Sequence, residues 1–272
     1  MDTIGFVGAG NMAEALIKGI ISAGEYEPRD VLISDIRADR LAALSQQYGV
    51  TVTRDNYDLA SRADIVVLSI KPQVIGDVLG SIAEAVTVDK LVISIAAGIK
   101  IGRIAAALGE IPIARVMPNT PALIGEGASG LYANAQAKGM LETIETILAS
   151  VGKVVVVDDE DLIDAVTAVS GSGPAYFFLL MEQMIEAGVQ LGLAPDTAKD
   201  LVLQTAKGAA LLACKADEGG EGSETPAELR MKVTSPGGTT EAALKAFADG
   251  KMPETIVAGI RRARDKGREL SA

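Results

Sequence analysis

Runs of β-branched and aliphatic residues punctuate the first 160 positions: Thr3 to Val7, Val31 to Ser34, Ile65 to Ile70, Leu91 to Ala96, Ile113 to Val116 and Val154 to Val157. Unbroken apolar stretches such as Ile65-Val66-Val67-Leu68 predict strands covered on both faces, as in a parallel sheet flanked by helices. Between the runs the spacing turns helical, over 11–23, 38–48, 56–62, 73–84, 101–108 and 136–151. Strand and helix alternating in this way predict a doubly wound α/β domain over residues 1–160.

After Asp158-Asp159-Glu160-Asp161 the β-branched runs vanish, and residues 161–272 read as a second, all-helical domain. The four acids suit the solvated first turn of a helix, where negative charge meets exposed N–H groups. Helices are expected over 161–170, 174–192, 196–216, 226–233, 239–248 and 253–270. Pro174, Pro195, Pro226 and Pro253 stand near the starts of four of them, where a missing N–H costs nothing. Glu218 to Glu224, with three glycines, reads as a flexible loop. The 174–192 helix carries apolar side chains around most of its circumference, from Ala175 and Phe177 to Val189 and Leu191. A helical half of this size can hardly cover it alone, so burial against a second copy of the chain is expected.

Composition narrows the chemistry. The 272 residues carry 25 Lys plus Arg against 36 Asp plus Glu, a formal charge of −11, and only 3% are aromatic. Neither the electrostatic footprint nor the stacking surface of a nucleic-acid binder is present, since the one basic cluster, Arg261 to Arg268, is diluted by Asp265 and Glu269. With no histidine, there is no imidazole for a triad, a proton shuttle or a metal site, and no metal is expected. Cys214, the only cysteine, reads as a small buried apolar residue and excludes an intrachain disulfide. No run approaches 18 apolar residues, and Glu182, Gln183 and Glu186 interrupt the best candidate, so no membrane span is expected. The N-terminus enters a strand pattern without a basic signal region, which makes the cytoplasm the expected location.

The sharpest chemical signal is Gly8-Ala9-Gly10-Asn11-Met12-Ala13, which follows the first strand and opens a helix, the context a dinucleotide fingerprint demands. Gly8 permits the turn, Gly10 lets a pyrophosphate approach, and the Ala13 methyl allows close helix packing. Ser34-Asp35-Ile36-Arg37 ends the second strand, where the adenine ribose is expected. There Asp35 suits the 2′-hydroxyl of NADH and Arg37 the 2′-phosphate of NADPH, so both cofactors are expected to serve. Ser69-Ile70-Lys71-Pro72 and Ala96-Ala97-Gly98 lie at further carboxyl ends of strands, as does Arg115-Val116-Met117-Pro118-Asn119-Thr120-Pro121, a stiff turn that presents Asn119 and Thr120. Ser170-Gly171-Ser172-Gly173-Pro174 breaks one helix and starts the next. In the helical half, Val233-Thr234-Ser235-Pro236-Gly237-Gly238-Thr239-Thr240-Glu241 precedes and opens a helix with a density of glycine and hydroxyl that suits a carboxylate.

With these motifs the sequence resembles the pyrroline-5-carboxylate reductases. The resemblance rests on G-A-G-N-M-A at 8–13, I-K-P at 70–72, A-A-G at 96–98, R-V-M-P-N-T-P at 115–121, the 161–176 segment and V-T-S-P-G-G-T-T at 233–240, and spans nearly the whole chain. It implies a Rossmann-type domain followed by a helical domain that dimerises, within assemblies such as a decamer of five dimers. It implies NADPH- or NADH-dependent reduction of 1-pyrroline-5-carboxylate to L-proline. By the same resemblance the cofactor contacts Val7, Gly8, Ala9, Gly10, Asn11, Met12, Asp35, Arg37, Asn56, Ser69, Ile70, Lys71, Pro72, Ile95, Ala96 and Ala97. The substrate lies on Thr234, Ser235, Gly237, Gly238, Thr239 and Thr240, with Thr240 nearest the ring nitrogen as the catalytic residue. Glu224 is left without a role.

The missing histidine suits this chemistry, because a protonated cyclic imine already carries the proton its nitrogen needs. The protein then has to position rather than to protonate. Two other readings stay open on the residues alone. A β-hydroxyacid dehydrogenase shares the plan but wants a lysine early in the interdomain helix, and Ser170 to Glu182 contains none. A non-catalytic dinucleotide-binding regulator would keep 8–13 but has no need of the hydroxyl-rich 233–240 turn.

Overall fold

The computed structural model describes residues 2–216 and 223–271. Of the loop expected at Glu218 to Glu224, residues 218–222 lie outside the described ones. The first part of the chain runs β1 (Ile4–Val7), α1 (Asn11–Ser22), β2 (Val31–Ser34), α2 (Ala38–Tyr48), β3 (Thr51–Thr53), α3 (Asn56–Arg62), β4 (Ile65–Leu68), α4 (Ile75–Ile82), β5 (Leu91–Ser94), α5 (Ile101–Leu108), β6 (Ile113–Met117), β7 (Gly127–Ala133), α6 (Leu141–Ala149) and β8 (Gly152–Val156). The remainder is helical: α7 (Leu162–Val166), a π-turn (Thr167–Gly171), α8 (Gly173–Gln190), α9 (Pro195–Ala216), α10 (Pro226–Lys232), α11 (Thr239–Asp249) and α12 (Met252–Ser271).

Among the described residues the strands form one sheet in the order β3-β2-β1-β4-β5-β6-β7-β8. The order reverses between β1 and β4, which makes the switch point where open α/β sheets bind ligands. Register puts the carboxyl ends in line: Val7 lies opposite both Ser34 and Leu68, and Leu68 opposite Ser94. Successive strand residues serve opposite layers. Phe6, Ile33, Val67 and Ile93 enter a core with α1, α2 and α6, while Val7, Leu32, Val66 and Val92 enter a second core with α3, α4 and α5. This explains why the strand sequences are continuously apolar, and each side chain buried so contributes about 1.5–3 kcal/mol.

Two strands escape sequence reading. β3 is only three residues long, Thr-Val-Thr, and β7, Gly-Ala-Ser-Gly-Leu-Tyr-Ala, contains no β-branched residue. β7 also breaks the expected all-parallel pattern, because it pairs antiparallel with β6 and parallel with β8.

By contact the chain forms two compact units, Met1–Pro174 with Arg262–Ala272, and Ala175–Arg261. The segment after 160 is tied to the sheet. Arg115 of β6, 2% exposed, pairs with Asp164 at 3.1 Å and Glu160 at 3.3 Å. The acidic run is therefore not a merely solvated helix start: Glu160 also accepts the Ile101 N–H that opens α5, at 2.8 Å, and Asp161 pairs with Lys100 at 3.0 Å. Gly130 admits Val166 so closely that an added Cβ would lie 2.6 Å from its Cγ1. The last turns of α12 return to this unit, where Leu270 lies against Gly98.

The second unit is helical and poorly covered by its own residues. Phe177, Phe178 and Leu179 are each more than half exposed, as are Leu201, Leu211 and Leu212 of α9. Cys214 is exposed rather than buried, because α9 turns that face outward in the single chain. The helical run Leu162–Gln190 is 29 residues long and holds an 18-residue window of mean hydropathy 1.2, which matches a membrane span in length and composition only; a single such helix is weak evidence and leaves the sequence expectation of no span in place. Asp164 near its start pairs with Arg115.

Candidate active site

The β1 to α1 turn is fixed from three sides. The Gly8 N–H donates to the Ser34 carbonyl at 2.8 Å, and the Ser69 hydroxyl donates to the Gly8 carbonyl at 2.6 Å. Gly8 has φ +96°, and a Cβ there would lie 2.6 Å from the Ser69 carbonyl oxygen, so no other residue fits without moving β4. Ala9 is buried and donates its N–H to Asp35 Oδ2 at 2.9 Å. Gly10 is extended, supplies no side-chain cap to α1, and would present an added Cβ to open space. The first-turn N–H groups of Asn11 and Met12 thus look out over a clear approach, which fits a pyrophosphate.

The ribose corner gathers more residues than sequence reading named. Asp35 Oδ1 accepts from the Arg37 N–H at 2.9 Å and from Arg37 Nε at 3.1 Å. Burial pushes the Asp35 carboxyl up, but the hydrogen bonds from Arg37 and Ala9 outweigh it and hold the group below the usual aspartate value. Arg40 Nε donates to the Ala9 carbonyl at 2.8 Å, and its Nη2 meets Glu14 at 2.5 Å, holding that carboxyl low as well. Asn56 sits beside the end of β2, its Oδ1 accepting from the Ser34 hydroxyl at 2.7 Å. Val7, Gly8, Ala9, Asp35, Arg37, Asn56 and Ser69 are therefore brought together at one sheet edge.

Ile70, Lys71 and Pro72 continue from Ser69, with Lys71 exposed at the head of a 3₁₀ turn. Ile95, Ala96 and Ala97 follow β5 on the same edge, where the Ile95 N–H donates to the Leu68 carbonyl at 3.1 Å. Asn119 does not present a free amide as the stiff turn suggested. Its Oδ1 accepts from the Ala128 N–H at 2.9 Å, and its Nδ2 donates to the Ser170 carbonyl and hydroxyl, both at 3.3 Å. Thr120 beside it is exposed.

In the helical unit, the 233–240 segment forms a tight turn into α11. The Thr234 hydroxyl donates to the Arg230 carbonyl at 2.6 Å, and the Gly238 N–H to the Ser235 carbonyl at 3.0 Å. Gly237, at φ +70°, donates its N–H to Glu241 Oε2 at 2.7 Å. Two of the expected anion donors are thus engaged by the chain itself. The Thr239 and Thr240 N–H groups open α11 without a side-chain cap, and so have no partner within the helix. Glu224 pairs with Lys232, a structural contact for a residue that sequence comparison left without one.

Residues 160–270 match the family model described as pyrroline-5-carboxylate reductase dimerisation, and residues 3–98 one described as NADP oxidoreductase, coenzyme F420-dependent. A pyrroline-5-carboxylate reductase of Pseudomonas aeruginosa is 45% identical over 270 residues, covering 98% of this chain and 96% of that one. The chain belongs to the pyrroline-5-carboxylate reductase family. Among solved structures, a pyrroline-5-carboxylate reductase from Coxiella burnetii superposes with a TM-score of 0.91 at 40% identity, covering 100% of this chain and 99% of that one. The Plasmodium falciparum pyrroline carboxylate reductase, solved with NADP bound, superposes at 0.87 with 31% identity, covering 100% and 98%.

Within this pyrroline-5-carboxylate reductase fold, sequence reading missed Glu14 and Arg40, and it named Ser34 and Glu241 only as members of their motifs. Glu241 had a signal, since it is the third residue of α11 after an uncapped Gly238, the place from which a glutamate reaches back to the preceding backbone. Arg40 stands one helical turn beyond Arg37 and so shares its side of α2. Glu14 had none, because only the fold brings it to Arg40.

Proposed function

We propose that the chain catalyses NAD(P)H-dependent reduction of the C=N bond of 1-pyrroline-5-carboxylate, giving L-proline. The observation that carries this reading is the match to the Pseudomonas aeruginosa reductase along the full chain. The geometry supports it with two uncapped helix starts suited to anions, behind Gly10 and behind Gly238. Residues 1–160 serve the cofactor and 161–272 serve substrate and dimerisation.

The cofactor supplies a hydride; the chain's own residues bind and orient. The Gly10, Asn11 and Met12 N–H groups hold the pyrophosphate, while Asp35 and Arg37 divide the ribose between them, the carboxylate taking a 2′-hydroxyl and the guanidinium a 2′-phosphate. Ser69 to Pro72 and Ile95 to Ala97 line the nicotinamide half. On the second unit the Ser235 hydroxyl and the Thr239 N–H receive the substrate carboxylate, and the Gly237 N–H joins them once Glu241 lets go. Thr240 orients the ring nitrogen. It is a poor acid, and none is needed when the imine arrives protonated. Fixing both partners in a reactive arrangement can supply much of the rate by effective molarity.

The same reading makes the active form a homodimer through the helical unit, with a ring of five dimers as the larger assembly the family implies. The exposed Phe177, Phe178 and Leu179 support burial by a second copy. We extend it to a cytoplasmic enzyme, which suits a chain with one unpaired cysteine. Incubation of the purified protein with pyrroline-5-carboxylate and either reduced cofactor should consume both and yield L-proline. Absence of turnover with both would reject the reading in favour of a non-catalytic dinucleotide binder.

A further inference from the structure

Two motifs remain without a role in this account, the Met117 to Pro121 turn and Ser170 to Pro174, and the structure joins them. We propose that Asn119 is a positioning residue for hydride transfer, acting by pinning the π-turn Thr167–Gly171 to the carboxyl edge of the sheet. The proposal rests on the reductase reading above. In a doubly wound sheet that reverses between β1 and β4, the β1 to β3 half takes the adenosine and the β4 to β6 half takes the nicotinamide. Asn119 follows β6 directly, and β6 is paired to β5 with Arg115 opposite Ser94. It therefore stands on the nicotinamide half.

Its amide closes a ring of hydrogen bonds over three segments. Asn119 Oδ1 takes the Ala128 N–H, Asn119 Nδ2 reaches the Ser170 carbonyl and hydroxyl, and the Ser170 hydroxyl returns to the Ala128 carbonyl at 3.2 Å. The segment it holds is not ordinary helix: the Ser172 N–H donates to the Thr167 carbonyl five residues back, at 2.8 Å. One extra residue makes this turn wider than an α-helical one. Gly171 allows the close approach, since a Cβ there would lie 2.6 Å from Met117 Cε. At the other end of the segment Arg115 holds Asp164. Asn119 thus fixes this wide turn beside the half of the sheet where the hydride leaves, and an error of about 1 Å there is enough to cost on the order of 100-fold in rate.

The test uses full-length Asn119→Asp, which keeps the size and the acceptor for Ala128 but turns a carboxylate toward the Ser170 carbonyl. Ser170→Ala keeps the Nδ2 bond to the backbone and is the mild control. The measurements are kcat, NAD(P)H Kd by fluorescence, melting temperature, and the isotope effect on kcat with cofactor deuterated at the transferred position. Asn119→Asp should lose about 10- to 100-fold in kcat with a larger isotope effect and a cofactor Kd within about twofold, while Ser170→Ala loses less than about threefold. Unchanged kcat, an unchanged isotope effect, or a fall in cofactor affinity equal to that in kcat would overturn it. If Asn119→Asp does not fold, Asn119→Ser, which removes the amide bonds to Ser170 without adding charge, must show the same signature. A wild-type protein without turnover would instead defeat the reductase reading on which this rests.

Discussion

The starts of α1 and α11 are alike in isolation and unlike in setting. Each is opened by an extended glycine with no side-chain cap, Gly10 at φ −72°, ψ 179° and Gly238 at φ −86°, ψ 173°. Around Gly10, bonds reach from distant parts of the chain: Ser34, Asp35, Arg40 and Ser69 all touch the turn. Around Gly238, the hydrogen-bond partners among the described residues are local, from Arg230 to Ala242. A nucleotide site built on a sheet edge is preformed by the core beneath it. A turn on a helical unit with exposed apolar faces has only its own glycines, hydroxyls and Glu241 to shape it.

The first way to break this contrast is to cut the anchor of the sheet unit. Arg115→Met leaves Asp164 buried without its cation, and should destabilise the fold by about 3–5 kcal/mol in denaturant titration. Loss within error of zero would mean that the network does not hold the segment after 160. Gly8→Ala attacks the turn itself, forcing a left-handed φ on alanine and a methyl into the Ser69 carbonyl. About 1–3 kcal/mol of strain is expected, with cofactor Kd raised more than tenfold while the helical unit keeps its circular dichroism. An unaltered Kd would place the pyrophosphate elsewhere.

Sharpening the ribose corner needs smaller changes. Asp35→Ser should raise the NADPH to NADH ratio of kcat/KM and Arg37→Ala should lower it, each by about 3- to 10-fold, the worth of one hydrogen bond at a partly exposed site. If neither ratio moves, these residues do not face the ribose. The smallest effect is on pH dependence. Asp64 accepts hydrogen bonds from the Thr3 backbone and hydroxyl, and the backbone bond above all holds its carboxyl below the ordinary 3.8. Because the folded value lies below the unfolded one, its stabilisation is complete above that value and is lost as pH falls through the folded one. Asp64→Asn should therefore flatten the acid limb of the stability curve and leave neutral-pH activity unchanged.

Most of the fold was legible because the strands are buried on both faces and so announce themselves as apolar runs. The second strand and the helices over 38–48, 56–62 and 101–108 fall where their spacing puts them. β7 was not legible, since its Gly127, Gly130 and Ala133 are chosen for what lies against them, Gly130 to admit Val166, rather than for strand propensity. At the site, Gly8, Gly10, Asp35 and Arg37 could be found from spacing because motif and contact are local. The couplings of Arg115 to Asp164, Asn119 to Ser170 and Glu14 to Arg40 could not, because each joins positions that only the folded sheet brings together.

Thr240→Val tests the central division of labour, cofactor on the sheet edge and substrate on the α11 turn, more directly than any other variant. It keeps shape while removing one hydroxyl from the imine nitrogen. The account predicts a loss of roughly 1.5–3 kcal/mol in transition-state stabilisation, about 10- to 150-fold in kcat/KM, with NAD(P)H affinity nearly unchanged. A fall in melting temperature with kcat/KM intact would contradict it and leave Thr240 as an ordinary helix-start residue.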